Sequence, residues 1–155
     1  MIAQLTGTIS LIEDHAVVLD VHGVGYRVRI GADARAALRA VRENKGRDTT
    51  KETVSLWTHL AERDDALEHF GFRERDELSL FERLISVSGI GPKSGLAILD
   101  LAPVETLRSA IARGDTSYLT KVSGIGRKTA QKIVHELRDS LASVSESGAV
   151  GEDYG

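Results

Sequence analysis

The sequence predicts an α+β protein in which a small β-barrel domain precedes an all-helical domain. Up to residue 72, short runs of β-branched and apolar residues alternate with turn-forming residues, which is typical of strands. Beyond residue 72 the apolar spacing changes to three and four, as on one face of a helix: Leu78, Phe81, Leu84 and Ile85. We therefore divide the chain into a barrel domain (1–72), a helical domain (73–141) and a tail or linker (142–155).

Five strands are predicted in the first domain, over 2–12, 16–21, 26–30, 54–60 and 67–72, with a turn at 13–15. Between the third and fourth strands we expect a short helix capped by Asp33, followed by a polar, exposed loop at 42–53. Five short strands with one helix in that place follow the order of a Greek-key barrel of the OB type. A simple β-meander fits the same pattern.

In the second domain, further helices are predicted over 93–99, 104–112 and 128–141. Pro92 and Pro103 fit first-turn positions of helices, where a missing N–H does no harm. The last fourteen residues are rich in Ser, Gly and acidic residues, which predicts a disordered tail or linker.

The chain carries a net charge of −3, and its charges are unevenly distributed. Residues 1–72 hold nine basic and eleven acidic side chains, whereas residues 73–137 hold ten and eight. The basic excess is densest over 119–138, where five cations (Lys121, Arg127, Lys128, Lys132 and Arg138) accompany one acid, Glu136. A local basic patch on a mildly acidic protein suits binding of nucleic acid at one site. Cysteine is absent, which excludes disulfides and thiol chemistry. With no apolar stretch of spanning length and no leader pattern, we expect a cytoplasmic location.

An internal repeat lies in the helical half of the sequence. Residues 84–94 align with residues 119–129, an offset of 35 residues from Gly89 to Gly124. Both copies contain Val-x-Gly-Ile-Gly-x-Lys-Ser/Thr, with a Ser before the first Gly. Two occurrences of the same motif rarely arise by chance, so the repeat predicts two copies of one structural unit.

Each copy predicts a helix–hairpin–helix that holds a phosphate of a DNA backbone. The two glycines are expected to permit unusual torsions, and the Ile between them to plug the core. Backbone N–H groups at the start of the second helix lack intrahelical partners and carry partial positive charge, so they can bind a phosphate oxygen. The predicted DNA-contacting residues are Ser88, Gly89, Ile90, Gly91, Lys93 and Ser94 in the first copy, and Lys121, Ser123, Gly124, Ile125, Gly126, Arg127, Lys128 and Thr129 in the second.

Other sites fit the sequence less well. A nucleotide-binding P-loop needs glycine where the repeat has Pro92 or Arg127, and a dinucleotide fingerprint needs a third glycine where it has Ser94 or Thr129. Plain tight turns remain the alternative for both loops. The five histidines show no metal-ligand spacing, so no metal, cofactor or catalytic residue is predicted. Asp64 and Asp65 could form a metal-binding pair for hydrolysis, although a solvated turn is simpler. The few aromatics do not form the stacking surface of a single-strand binder.

Taken together, these residues resemble one family, RuvA, the bacterial proteins that bind Holliday junctions, which are four-way DNA junctions. The likeness covers roughly residues 1–141. It includes Met1-Ile2, the Gly-Val-Gly-Tyr-Arg-Val segment at 23–28, Thr58-His59, Arg63-Asp64-Asp65, Phe70-Gly71-Phe72 and both Gly-Ile-Gly-x-Lys loops.

The resemblance implies an OB-fold barrel and a tandem helix–hairpin–helix domain in a homotetramer, or in two tetramers that clasp one junction. It implies a non-enzymatic scaffold for branch migration in recombination, DNA repair and the SOS response to DNA damage. RuvB, a separate ATPase motor, and the RuvC resolvase are the implied protein partners. Asp64 and Asp65 match the acidic pin at the junction centre. In the family a third domain beyond a flexible linker contacts RuvB, and we expect the residues printed here to bind junctions without that contact.

Overall fold

The computed structural model describes residues 1–44 and 52–147, with the backbone alone for 142–147. It forms two compact units, one through Glu82 and one from Arg83 onward. No helix in the described ranges is both long and apolar enough to cross a membrane.

The first unit is a closed five-stranded barrel. Its elements are β1 (Gln4–Ile12), β2 (Ala16–Val21), β3 (Val24–Arg29), α1 (Ala32–Glu43), β4 (Thr53–Arg63) and β5 (Ala66–Phe72). The strand order is β1-β2-β3-β5-β4, and β4 closes the barrel against β1. β3 and β5 are parallel, whereas the other neighbours are antiparallel. The predicted OB-type barrel is confirmed, and the β-meander is excluded because β3 pairs with β5 and not with β4.

Alternate residues of the strands point inward and form the barrel core. Val17, Leu19, Val28 and Leu56 are completely buried there. This alternation is what a sheet with one buried face requires.

Two details of the first unit differ from the prediction. Asp33 lies in the first turn of α1 and makes no capping bond, because the residue before the helix is Gly31. Its carboxylate still faces the positive end of the helix dipole. β3 begins earlier than expected, since His22 and Gly23 alone form the turn after β2, with φ of 51° and 91°. Positive φ at both central residues is the geometry of a type I′ hairpin.

The polar loop predicted at 42–53 is shorter in the structure. Arg42 and Glu43 belong to α1, and Thr53 begins β4. Residues 45–51 of that predicted loop lie outside the described ranges.

The helical part contains α2 (Arg75–Ser86), α3 (Pro92–Leu99), α4 (Val104–Arg113), a 3-10 turn (Leu119–Lys121) and α5 (Arg127–Ser147). α2 belongs to the barrel unit through Glu82. The reason is Phe81, whose ring lies 4.8 Å from that of Phe72 and 5.6 Å from that of Phe70.

The predicted helices are confirmed, with three differences. Pro92 is in the first turn of α3 as expected, but Pro103 is the residue before α4. The 3-10 turn was not predicted. α5 continues through 142–147, which were expected to be disordered, since extending an existing helix costs much less than nucleating one. Residues 148–155 of the predicted tail lie outside the described ranges.

Candidate nucleic-acid interface

The two copies of the sequence repeat have the same backbone structure. Gly89 has a φ of 91° and Gly124 a φ of 88°. In the first loop the N–H of Ile90 donates to the carbonyl of Val87 at 3.0 Å, and in the second the matching bond, from residue 125 to residue 122, is 3.1 Å. Each following helix closes its first turn onto the carbonyl of the second glycine, at 3.0 Å in both copies. The two copies of the sequence motif therefore form two hairpins of the same structure.

The isoleucine of each hairpin is a core residue. Ile90 is 5% exposed and Ile125 4%, so both plug the core as predicted. Their N–H groups already donate within the loop. Neither the side chain nor the N–H of these two residues is therefore free to bind a ligand, and their place among the predicted DNA-contacting residues stays a prediction. They hold the loop in shape.

The two glycines of each hairpin have different roles. Gly89 and Gly124 adopt the left-handed conformation that favours glycine. Gly91 has φ −86° and ψ 172°, which is ordinary extended backbone, and Gly126 is likewise not left-handed. The expectation of unusual torsions at both glycines is therefore wrong for the second.

Open space surrounds this second glycine in each copy. A Cβ atom built at Gly91 or Gly126 would meet no other described atom within 4 Å. Neither conformation nor packing within the described chain thus requires glycine at these positions. The missing side chain leaves room beside the N-terminus of α3 or α5, where a ligand could approach the backbone closely.

Free N–H groups occur at and directly after this second glycine. In the described part of the first hairpin, the N–H groups of Gly91, Lys93 and Ser94 donate to no acceptor. The same holds for the N–H groups of residues 126–129 in the second hairpin. These are the donors that a helix leaves unpaired at its start, and the helix dipole adds partial positive charge there. The copies differ at one position. Pro92 has no N–H, whereas Arg127 supplies an N–H and a guanidinium.

Cations surround the two loops. Lys93, Arg127 and Lys128 are exposed, and within the described ranges none of them pairs with a carboxylate. Lys121 ends the 3-10 turn, with its Nζ 4.9 Å from the ring centre of Tyr118. Unpaired, solvated cations beside free N–H groups form a surface that attracts anions.

The loop before the 3-10 turn is held by a carboxylate. Asp115 accepts hydrogen bonds from the hydroxyl of Ser117 at 2.6 Å and from its N–H at 3.0 Å. These bonds, together with the nearby charges of Arg113 and Lys121, hold the pKa of Asp115 below its usual value. The carboxylate therefore stays charged at neutral pH and keeps this turn closed.

Asp64 and Asp65 form the two-residue turn between β4 and β5. The last cross-strand pair is Arg63 with Ala66, and every residue from 62 to 67 is exposed. β3 pairs with β5 only at His69 and Phe70 of β5. Nearer to the turn, β4 and β5 pair only with each other. The acids thus lie at the end of a two-stranded extension of the barrel. No group of three or more potential metal ligands occurs among the described side chains, these two acids included.

The barrel unit has a surface groove, which is where a protein that binds single-stranded DNA through its barrel would hold the strand. It is lined by residues 13–16, Arg27, Arg29 and residues 67–69. Both arginines already pair with acids, Arg27 with Glu13 at 3.1 Å and Arg29 with Glu68 at 2.9 Å. His69 lines it too, and burial lowers its pKa. With Asp14 as a third acid beside Glu13 and Glu68, the groove has more acids than arginines, unlike the two basic hairpin loops.

Comparison with known proteins places both halves of the chain. Residues 1–71 match the family model described as the RuvA N terminal domain, and residues 81–139 match the SAM-like helix-hairpin-helix tandem. A protein of Herpetosiphon aurantiacus is 44% identical over 155 residues, which are 100% of this chain and 74% of the relative. Relatives from Dehalococcoides mccartyi and Alkalilimnicola ehrlichii are 40% and 41% identical, over 98% and 97% of this chain and 74% and 68% of theirs. The chain belongs to the RuvA family. All three relatives are named Holliday junction branch migration complex subunit RuvA.

The two family-model matches divide the candidate site residues between them. The acidic turn lies in the range of the N-terminal domain, and both hairpins lie in the range of the tandem. The structure also brings to the first loop a residue outside the predicted contact set. Lys132 of α5 donates from Nζ to the carbonyl of Ser88 at 3.2 Å. The basic stretch 119–138 contains this lysine, but sequence spacing alone does not reveal which loop it reaches.

Proposed function

We propose that this chain binds four-way DNA junctions in branch migration, holds their phosphate backbones through its two hairpin loops, and performs no chemistry of its own. The observation that carries the proposal is the pair of equivalent loops whose second glycines, Gly91 and Gly126, are open to solvent beside free N–H groups. The RuvA relatives, whose name includes the Holliday junction, indicate the kind of DNA.

Each loop binds one phosphate group. The N–H groups at the start of α3 or α5 donate to its oxygens, and Lys93 or Lys128 adds a full positive charge beside them. Such contacts fix the position of a backbone without reading its sequence. This suits a protein that must hold a junction while the base pairs at its centre change.

The acidic turn acts by repulsion. Asp64 and Asp65 lie at the end of an exposed hairpin. Phosphates of a duplex that ran straight across this turn would approach two carboxylates, which raises the free energy of that complex. A four-way junction with an open centre avoids this contact, so the turn favours junctions over continuous duplex.

The subunit works as part of an assembly. A homotetramer presents four copies of the two hairpins to the four arms, either alone or with a second tetramer on the opposite face. The RuvB motor supplies the energy for branch migration in recombination and repair, and RuvC is a further candidate partner. We place this work in the cytoplasm, where bacterial DNA lies.

A gel-shift experiment tests the proposal. Labelled four-way junction, duplex and single strand of matched sequence are titrated with the protein at one salt concentration, and the mass of each complex is measured. We expect the junction to bind most tightly, in a complex whose mass shows one tetramer or two. Equal affinity for junction and duplex would contradict the proposal.

A further inference from the structure

Lys132 makes a contact that breaks the symmetry of the repeat. It belongs to α5, the helix of the second hairpin, yet its ammonium group donates to the Ser88 carbonyl in the first hairpin's loop. The repeat offset of 35 residues aligns Lys132 with Ala97 of α3. An alanine cannot make the equivalent contact to the second loop, so this bridge runs in one direction only.

The two hairpins also differ in their own cations. The second loop is followed directly by Arg127 and Lys128, whereas the first is followed by Pro92 and Lys93. The first hairpin therefore has one N–H fewer than the second, and it lacks counterparts of both Arg127 and Lys121, where it has Pro92 and Ser86. Through its contact with the Ser88 carbonyl, Lys132 brings a further positive charge to this first loop.

We propose that Lys132 is the second cation of the first hairpin's phosphate site, contributed by the helix of the second hairpin. The inference rests on the proposed function, because it assigns a further residue to the same DNA contact. With Lys132 included, the first loop has two cations, Lys93 and Lys132, where its own repeat copy supplies only one. The difference in charge between the two phosphate sites of the tandem is then smaller.

The geometry leaves this ammonium able to bind a phosphate. An ammonium group has three N–H donors, and the Ser88 carbonyl uses one of them. The nearest carboxylate, Glu136 one turn along α5, lies 4.0 Å away, and the Lys132 side chain is 43% exposed. The contact also offsets the partial negative charge of the Ser88 carbonyl, which would otherwise repel a phosphate near this loop.

The substitution Lys132→Gln tests the charge. Glutamine keeps an N–H donor but has no charge; because its side chain is one bond shorter, the melting temperature is measured alongside to detect any structural loss of the bridge. We expect junction affinity to fall several-fold. The slope of log affinity against log salt should fall by about 0.9 for each phosphate contact that is lost. Lys132→Arg, which keeps the charge, should restore both quantities.

Arg39→Gln is the control for this substitution. Arg39 is exposed on α1 of the barrel unit, and its replacement removes one positive charge as Lys132→Gln does. It belongs to neither hairpin and lies outside the basic stretch 119–138. We expect Arg39→Gln to leave the salt slope close to that of the unsubstituted protein.

A second pair of substitutions predicts an effect of opposite sign. Glu136→Gln removes the carboxylate nearest to Lys132 and should tighten junction binding, because the ammonium is then freer to turn to the phosphate. Asp139→Asn makes the same charge change on the same helix and should tighten binding less. Equal tightening by the two variants would place Lys132 outside the phosphate site.

The outcomes separate this inference from the proposed function. If Lys132→Gln and Arg39→Gln give the same salt slope while the unsubstituted protein still prefers junctions, the inference on Lys132 is overturned and the proposed function stands. If the unsubstituted protein does not prefer junctions over duplex, the proposed function fails first. A lower slope for Lys132→Gln alone supports both.

Discussion

Lys93 and Lys128 occupy the same position in the two hairpins, and both are exposed without a carboxylate partner in the described chain. We predict that Lys93→Ala and Lys128→Ala each weaken binding to every junction sequence alike. Each should also lower the salt slope by about 0.9 per lost phosphate contact, because a neutral side chain releases no counterion. Gel shifts over a series of salt concentrations measure both quantities. A loss confined to some junction sequences would instead indicate base contacts.

The sequence predicted both loops correctly, but not how the backbone groups within each loop are used, and the role of the two lysines stays a prediction. Gly89 and Gly91 are the same residue type, yet only Gly89 has a positive φ. Ile90 was predicted to contact DNA, yet its N–H is already bonded inside the loop. Residue type alone gives neither torsions nor hydrogen-bond partners, so these distinctions needed coordinates.

Among the elements, the hairpin formed by β4 and β5 carries the most specific prediction. We predict that changing both Asp64 and Asp65 to Asn tightens duplex binding and lowers the ratio of junction affinity to duplex affinity. The reason is that repulsion of phosphates is removed while the shape of the turn is kept. Junction affinity should hold or rise slightly, and the free energy of unfolding should change little because both side chains are exposed.

Two alternatives give different results for the same double substitution. A metal-dependent nuclease would lose cleavage and keep its DNA affinity, whereas a plain surface turn would lose neither. Gel shifts with junction and duplex, together with a cleavage assay in Mg²⁺, separate the three. An unchanged ratio of junction to duplex affinity would exclude the acidic turn as a selectivity element.

At this scale the sequence predicted most elements and misjudged some ends. Periodicity located all five strands and the helices α2 to α5. It missed the 3-10 turn at Leu119–Lys121, because a single turn is too short to show a helical period. It ended α5 too early because composition changes after Leu141, whereas a helix already packed can continue through polar residues.

For the whole molecule we predict self-association into a tetramer, on the basis of membership of the RuvA family. Light scattering at micromolar concentration should give the mass of four chains. That mass should be the same with and without reductant and chelator, because the chain has no cysteine and its described side chains form no metal cluster. A stable monomer that still binds junctions would contradict this prediction.

Assembly is also where sequence patterns say least. The large exposed apolar side chains in the described ranges, Met1, Leu11, Val24 and Leu67, lie singly along the chain. Single exposed apolar residues are normal on a monomer surface, so they do not identify a subunit interface. The charge distribution is more informative about DNA binding, since the hairpin region has an excess of basic residues and the barrel domain an excess of acidic ones.

The central claim, that free N–H groups beside open glycines hold the phosphates, can be tested at Gly91 and Gly126. We predict that replacing both by Ser keeps or raises the thermal stability, since each glycine directly precedes a helix, where Ser is a favoured capping residue. As a contrast, Gly124→Ala should lower the free energy of unfolding by roughly 1–2 kcal/mol, because alanine is strained at a φ of 88°.

The decisive measurement is the junction affinity of this Gly91→Ser, Gly126→Ser double variant, taken with its melting temperature. The account predicts that junction binding falls strongly while the melting temperature holds, because the new side chains block the phosphate and their hydroxyls compete for the same N–H groups. Unchanged junction affinity in a fully folded double variant would contradict it.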